Sequence, residues 1–391
     1  MLEIAVIGGG PIGSRVAYKL AEFGYRVIVF EKRSSIGEKL CCTGIISQEC
    51  ILNFNISSEV VFRKINSARI FSPSGEFVRI HRAEDQACVI DRSAFDRILA
   101  RQAQERGVEY LLSSEVTSIY VQRDKVRIDV DLRGSPRHFE ACAAILTTGF
   151  NAPLVRKLGL GVTTDFVAGA QAQVETHEIE EIEIYFDQRL APGFFAWLVP
   201  TAEGRCLAGL MSRNSSGKGL RYWLEKLEDR GRIRLDGNNV LYGGIPLKPL
   251  RKTFADRILV VGDAAGQVKP TTGGGIYFGM LCADIASETL HNAIEKGDVS
   301  AVQLSRYERS WRKKIGTELK GEYIARRLYE HLSDHQINAL ISRARSAGII
   351  DSLLKEDVSF DWHGGLLLKI LKAGLMSQAS RTLRNLSGKD K

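Results

Sequence analysis

Residues 2–13 read Leu2-Glu3-Ile4-Ala5-Val6-Ile7-Gly8-Gly9-Gly10-Pro11-Ile12-Gly13, an apolar run that breaks directly into glycines. The run has the length and continuity of a buried parallel strand. Gly8, Gly10 and Gly13 form GxGxxG, and an amphipathic helix is expected from Pro11 to Phe23, with Val16, Leu20 and Phe23 on its buried face. Gly24 is placed to stop that helix. Tyr25 to Phe30 reads as a second strand with Glu31 at its end. The order is that of a dinucleotide-binding strand–helix–strand unit. The first glycine permits the tight turn, the second lets backbone approach a pyrophosphate, and the third lets helix and strand pack closely. The helix N-terminus supports the phosphate charge. The Glu31 carboxylate suits a ribose diol and repels a 2′-phosphate. This unit alone leaves NAD and FAD both open.

The rest of the composition sets limits. The 391 residues are 44% hydrophobic and 26% charged, as in ordinary globular proteins. That length holds two or three sub-domains around a substantial core. A net charge of +8 permits anionic partners, such as phosphate-bearing cofactors, diphosphate lipids or a membrane surface. Nucleic acid is not expected, because the basic residues are not interleaved with stacking aromatics. The seven cysteines, Cys41, Cys42, Cys50, Cys88, Cys142, Cys206 and Cys282, include no CxxC pair. Neither a disulfide framework nor a metal site is expected, and a reducing, cytoplasmic setting fits. No signal peptide is read ahead of the first strand, and no apolar run of about 18 residues suggests a spanning helix.

Three later segments bear on the cofactor. Asp91-Arg92-Ser93-Ala94-Phe95-Asp96 opens a helix that runs to about Arg106. Ala143 to Thr148 is an apolar strand ending in a turn at Gly149. Ile258 to Val261 is a buried strand that enters Gly262-Asp263-Ala264-Ala265-Gly266. Pro270-Thr271-Thr272-Gly273-Gly274-Gly275-Ile276 follows, leading a helix from Tyr277 to about Ile294.

With these elements in this order, the chain resembles flavoproteins of the p-hydroxybenzoate hydroxylase-like group. The resemblance implies an α/β, FAD-binding Rossmann-like domain in which the DRxxFD and GD elements complete a site begun by GxGxxG. It implies that Arg92 lies near the flavin or its pyrophosphate and that Asp263 binds the ribityl chain. Gly273 to Ile276 would meet the N1/O2 edge of the isoalloxazine at a helix start, where the charge of a reduced flavin is stabilised. Pro11, Ile12, Lys32, Gly44, Val116, Gly149, Gly262, Ala264, Gly274 and Gly275 are further implied contacts, beside Gly8, Gly10, Gly13 and Glu31.

Two more elements resemble the geranylgeranyl reductase family. Cys42-Thr43-Gly44-Ile45-Ile46-Ser47 matches CxGxxS, and Pro192-Gly193-Phe194-Phe195-Ala196-Trp197-Leu198-Val199-Pro200 resembles PxxYxWxFP. Phe195 stands for the tyrosine and Val199 for the last phenylalanine. The resemblance covers the whole chain and is similar to archaeal reductases of geranylgeranyl lipids. It implies saturation of carbon–carbon double bonds in an isoprenoid lipid, either a free diphosphate or an ether lipid. It makes Cys42 the catalytic candidate, facing flavin or alkene, and Phe195, Trp197 and Pro200 the substrate contacts. With no second GxGxxG, an external donor is expected, NAD(P)H or a ferredoxin. A flavin monooxygenase acting on an aromatic or isoprenoid substrate is the alternative on the same scaffold. A halogenase fits less well, since WxWxIP is met only at Phe195, Trp197 and Pro200.

The expected organisation is an FAD-binding domain from 1–165 and 243–297, an inserted antiparallel-sheet substrate domain at 166–242, and a helical region at 298–391. Val167–Val174 and Ile182–Phe186 alternate as strands do, and Phe194, Phe195, Trp197 and Leu198 either line an apolar cavity or pack as core. Residues 301–345 are helical in pattern and rich in arginine and lysine. Between Asp361 and Asp390 the chain has no acidic residue, and Leu366, Leu367, Ile370, Leu371, Leu375 and Met376 alternate with Lys369, Lys372, Arg381 and Arg384. That composition suits a helix lying on an anionic membrane, or one that docks to close a cavity.

Overall fold

A computed structural model describes residues 3–38, 41–150, 153–202, 204–235, 237, 239–346 and 359–364. The opening unit forms as β1 (Glu3–Ile7), α1 (Pro11–Glu22) and β2 (Arg26–Phe30). Pro11 sits at the first turn of α1, where a missing amide costs nothing, and Val16, Ala17 and Leu20 bury the inner face. β3 (Ile45–Ser47) runs into α2 (Gln48–Phe54), which Ser47 caps by accepting from the Cys50 amide at 2.9 Å. β4 (Val61–Ile65), β5 (Ser67–Phe71), β6 (Phe77–His81) and β7 (Ala87–Ile90) lead to α3 (Arg92–Glu105). Asp91 caps α3 by accepting from the Ser93 and Ala94 amides. β8 (Glu109–Leu111), β9 (Ser114–Val121), β10 (Val126–Leu132), β11 (Ser135–Ala141), β12 (Ala143–Leu146) and α4 (Pro153–Lys157) follow.

The next stretch is sheet-rich, as its alternation predicts. It holds β13 (Phe166–Glu175), β14 (Ile182–Tyr185), β15 (Ala196–Pro200), β16 (Arg205–Ser212), α5 (Ser216–Asp229), β17 (Arg234–Leu235) and β18 (Leu241–Pro246). The chain returns through β19 (Phe254–Ala255) and β20 (Ile258–Val260) to α6 (Ile276–Glu295), α7 (Ala301–Glu330) and α8 (Asp334–Ser346). The helical pattern over 301–345 is therefore two helices. α7 buries Leu304, Tyr307, Trp311, Ile315 and Leu319 on one face and exposes Arg306, Arg309, Arg312, Lys313 and Lys314, while Arg326 near its end is buried. The basic helix expected beyond Gly364 lies outside the described residues. Among the described residues, no helix is long and apolar enough to cross a membrane.

Two large sheets organise the molecule. The first has the order β19-β20-β12-β1-β2-β8 and is parallel from β20 to β8. Helices α1, α3, α6 and α7 cover one face, and the β9–β11 meander covers the other. Ile4 and Val6 of β1 are fully buried between these layers, as both-face burial requires. The second sheet has eight strands, β17-β13-β16-β15-β14-β5-β6 with β18 beside β13. It recruits β5 and β6 from the first hundred residues, joined through a parallel β14–β5 pairing. One face packs on α5 through Leu220, Trp223, Leu224 and Leu227. The other face, with Val167, Trp197, Val199 and Met211, packs with Ala87 and Val89 of β7. The candidate site lies where this second face meets the carboxyl ends of the parallel strands.

A candidate flavin and substrate site

The glycines of the first turn meet three different demands. Gly8 has φ +109°, and a Cβ there would lie 2.5 Å from the Thr147 carbonyl oxygen. Thr147 locks the turn by donating its hydroxyl to Gly8 O at 2.9 Å. At Gly13 a Cβ would come 1.9 Å from Gly8 O, so helix and turn touch backbone to backbone. At Gly10 nothing stands within 4 Å of the missing Cβ. That open space, at the N-terminus of α1, is the size and sign of site a pyrophosphate needs. Glu31 accepts from the Gly9 amide at 2.8 Å and from the Arg33 amide at 2.9 Å, one bond per carboxylate oxygen. Each oxygen keeps a lone pair for a hydroxyl. Lys32 is exposed beside it, and Gly149 turns the end of β12 with φ +72° and open space around it. Val116 is buried in the core between sheet and meander.

The second half of the cradle comes from the strand end at β20. Ile12 fits between two glycines: a Cβ on Gly262 would lie 3.2 Å from its Cγ1, and one on Gly279 2.6 Å from its Cδ1. This contact seats the start of α1 against the start of α6. Gln267 Oε1 accepts from the Gly262 amide at 2.8 Å and fixes the Gly262–Ala265 turn, with Ala264 buried below. The Asp263 carboxylate accepts no hydrogen bond among the described residues, and Arg92 is the cation that acts on it. Burial raises its pKa, and Arg92 works against that rise. In the Lys269–Gly275 loop, the Gly273 amide donates to Lys269 O at 2.9 Å, with Gly273 at φ +74°. Gly275, at the N-cap of α6, has no side chain to cover the first amides, so Ile276 opens the helix with donors free. An acid that accepts no hydrogen bond, an open Gly10 and an uncapped helix start are features that suit a dinucleotide cofactor such as FAD.

Arg92 and Cys42 meet at the rim of this cradle. Arg92 Nη2 donates to both Asp96 oxygens, at 2.8 and 3.1 Å. Burial opposes the charge of Arg92, yet Asp96 and the neighbouring Cys42 thiol raise its pKa overall. Cys42 Sγ accepts from the Gly44 amide at 3.4 Å. Gly44, at φ +70°, presses that turn onto β7, where a Cβ would lie 2.4 Å from Ile90 O. Cys41 points elsewhere: its thiol donates to Leu241 O at 3.5 Å, and burial, then the Cys42 charge, pushes it up to about 12. Of the two adjacent cysteines, only Cys42 stands beside a cation. All seven cysteines are free thiols.

The facing sheet presents a row in lateral register, Gln171, Gly209, Trp197 and Ile184 across β13, β16, β15 and β14. The Trp197 indole lies over Gly209, where a Cβ would come 2.4 Å from its Cζ2. Phe195 stands edge-on to Trp197 at 6.0 Å and to Phe186 at 5.8 Å. Gln171 donates from Nε2 to the Cys42 carbonyl, and so joins this row to the Cys42 turn. Among the described residues, Arg92 Nε, Gln171 Oε1 and Trp197 Nε1 are buried without a hydrogen-bond partner. Pro200 sits apart from Trp197 and Phe195. It ends β15 opposite Cys206, three residues from Trp197, which puts it on the α5 side of the sheet. Phe194 is likewise core, fully buried with the Arg326 guanidinium over its ring.

Sequence reading missed Gln171 and Thr147. The local signal for Gln171 was its place in the run 166–174, where Gln171 and Gln173 are the only polar side chains.

The chain is an FAD-dependent oxidoreductase. Residues 2–178 match the pyridine nucleotide-disulphide oxidoreductase family. The chain is 34% identical to digeranylgeranylglycerophospholipid reductase 2 of Methanothermobacter thermautotrophicus, over 87% of this chain and 90% of that protein. It is 31% identical to digeranylgeranylglycerophospholipid reductase of Methanocaldococcus jannaschii, over 86% and 89%. It therefore belongs to the digeranylgeranylglycerophospholipid reductase family. The fold is shared with a geranylgeranyl bacteriochlorophyll reductase-like protein of Thermoplasma acidophilum, with TM-score 0.84 at 20% identity over 99% and 98% of the two chains.

Proposed function

We propose that this protein saturates carbon–carbon double bonds of an isoprenoid chain carried on a lipid or a diphosphate. The observation that carries the reading is the Cys42–Arg92 rim opposite the Gln171–Gly209–Trp197 row. Bound FAD supplies the hydride. An isolated alkene has no carbonyl to absorb charge, so a proton must reach one carbon as hydride reaches the other. The Cys42 thiol is the group placed to hold and deliver that proton. Arg92 is the cation that stands beside it. Phe195 and Trp197, whose indole covers Gly209, bound the apolar chain and keep water from the reacting carbons. Reducing equivalents come from outside the chain, from NAD(P)H or a ferredoxin. The acid-free stretch beyond Gly364 is the part we assign to an anionic membrane surface or to closing the cavity.

The test is product identity. Dithionite-reduced enzyme is given a geranylgeranyl lipid, then oxygen and a phenol in a parallel reaction. Gain of two hydrogens on the lipid supports the proposal. Gain of one oxygen on either substrate sinks it in favour of a monooxygenase. Cys42→Ala and Cys42→Ser should slow single-turnover alkene reduction while leaving bound FAD in place; unchanged rates remove Cys42 from the proton step.

A further inference from the structure

The loop before α6 rests on a buried ion pair. Lys269 Nζ and Asp361 Oδ1 are 2.6 Å apart, with side chains 5% and 3% exposed. Lys269 also shapes the loop through its backbone, donating to Gly274 O at 3.1 Å and accepting from the Gly273 amide. A Cβ on Gly274 would lie 2.8 Å from Lys269 Cε and 3.6 Å from its Nζ, so the ammonium sits directly against the loop.

Asp361 arrives from a distant part of the chain. Residues 359–364 are pinned by Ser359, which donates to Glu49 of α2 at 3.2 Å, and by the Gly364 amide, which donates to Glu318 of α7. Trp362 packs on Phe278 at 5.1 Å between ring centres. The second Asp361 oxygen, Oδ2, is buried and has no partner among the described residues. Glu322 accepts from the Thr271 amide and hydroxyl, and His363 lies 3.9 Å from it.

A buried ion pair is poor evidence of stabilisation, because removing two charges from water costs about what their attraction returns. Two apolar side chains would hold the same segments together. What the pair adds is a positive charge fixed against Gly274, partly offset by the Asp361 carboxylate. A charge near the pyrimidine edge is a lever on flavin electronics.

We infer that Lys269 is a positioning residue that biases the bound flavin toward its reduced state, and that Asp361 sets how much of the Lys269 charge the flavin feels. This rests on the loop meeting the flavin edge, as the resemblance implies. Lys269 does not touch the reacting atoms. It acts through the loop it underlies.

The experiment is the midpoint potential of bound FAD in the full chain, by reductive titration against reference dyes at one fixed pH. Lys269→Met should lower the potential and Asp361→Asn should raise it. Each shift should reach about 30 mV, a tenfold change in the relative affinity for reduced and oxidised flavin. Lys269→Gln, which keeps a hydrogen bond to Asp361, carries the same expected sign as Lys269→Met and serves if that variant loses FAD. Opposite signs are the signature of charge. Shifts of the same sign, or none in variants that still bind FAD, overturn the inference and leave the pair a structural clasp. Product analysis is independent of this readout. Opposite shifts with no alkene reduction would sink the proposed activity and keep the role of Lys269.

Discussion

Gln171 Nε2 and the Cys42 carbonyl oxygen are joined by a 3.1 Å hydrogen bond that spans 129 positions of sequence. One bond ties the thiol-bearing turn to the sheet that faces it. Gln171→Leu keeps the volume and removes the bond. It should cost about 1 kcal/mol of stability. It should also slow single-turnover reduction roughly tenfold by letting the Cys42 turn drift. A lower melting temperature with an unchanged rate would make the bond purely structural.

Gly10 and Gly13 should fail differently. Gly13→Ala drives a Cβ to 1.9 Å from Gly8 O and should destabilise the chain with or without FAD. Gly10→Ala has open space around it, so the flavin-free chain should melt at the wild-type temperature. Its methyl points where a pyrophosphate would sit, and FAD affinity should fall roughly 100-fold, about 2.7 kcal/mol. Fluorescence quenching on FAD titration, beside thermal melts of the flavin-free forms, separates the two. Wild-type FAD affinity in Gly10→Ala would remove Gly10 from the pyrophosphate site.

Glu322 and His363 should give opposing pH slopes. Burial lifts the Glu322 carboxyl to about 7 from an ordinary 4.5. Burial, then Lys269, lowers His363 to about 4 from 6.5. A raised acid stabilises the fold fully below 4.5, and that contribution is lost as pH rises through about 7. A depressed histidine stabilises above 6.5 and is lost as pH falls through about 4. Each full swing is on the order of 3 kcal/mol. Glu322→Gln should leave stability rising with pH between 4 and 6.5, and His363→Asn should leave it falling between 4.5 and 7. Denaturant melts across that range check both, and parallel slopes in the two variants would refute the assignment.

Gly209→Val tests the close packing of Trp197 on the sheet. Its side chain would enter the volume of the indole, which a Cβ already approaches to 2.4 Å. Overpacking of this kind costs about 1–3 kcal/mol. Alkene reduction should fall while FAD content stays at the wild-type level, because Gly209 is on the facing sheet. Flavin absorbance per chain and product yield are the two readouts; unchanged yield would mean that the substrate does not use this face.

The dinucleotide unit was legible because its information is local: three glycines, a helix and an acid within the first 31 residues. Asp263 and the 270–276 loop were legible as motifs, though their convergence with Arg92 needs the fold. Pro200 stands apart from Trp197 by parity. Its odd spacing from Trp197 puts it with Ala196 and Leu198 on the α5 face, whatever motif the segment resembles. The membership of β5 in the second sheet was not legible, because Ile70 pairs with Ile184 across more than a hundred residues. Lys269 and Asp361 are 92 positions apart and no pattern links them.

The path of the chain through the second sheet bears on how such enzymes can be recombined. β5 and β6 leave the first unit, join β14, and the chain goes back to form β7 and α3. No single pair of cuts excises that sheet. A chimera meant to exchange substrate preference must transplant residues 67–81 together with 166–246, or leave β14 without its neighbour and an open edge ready to pair with another chain.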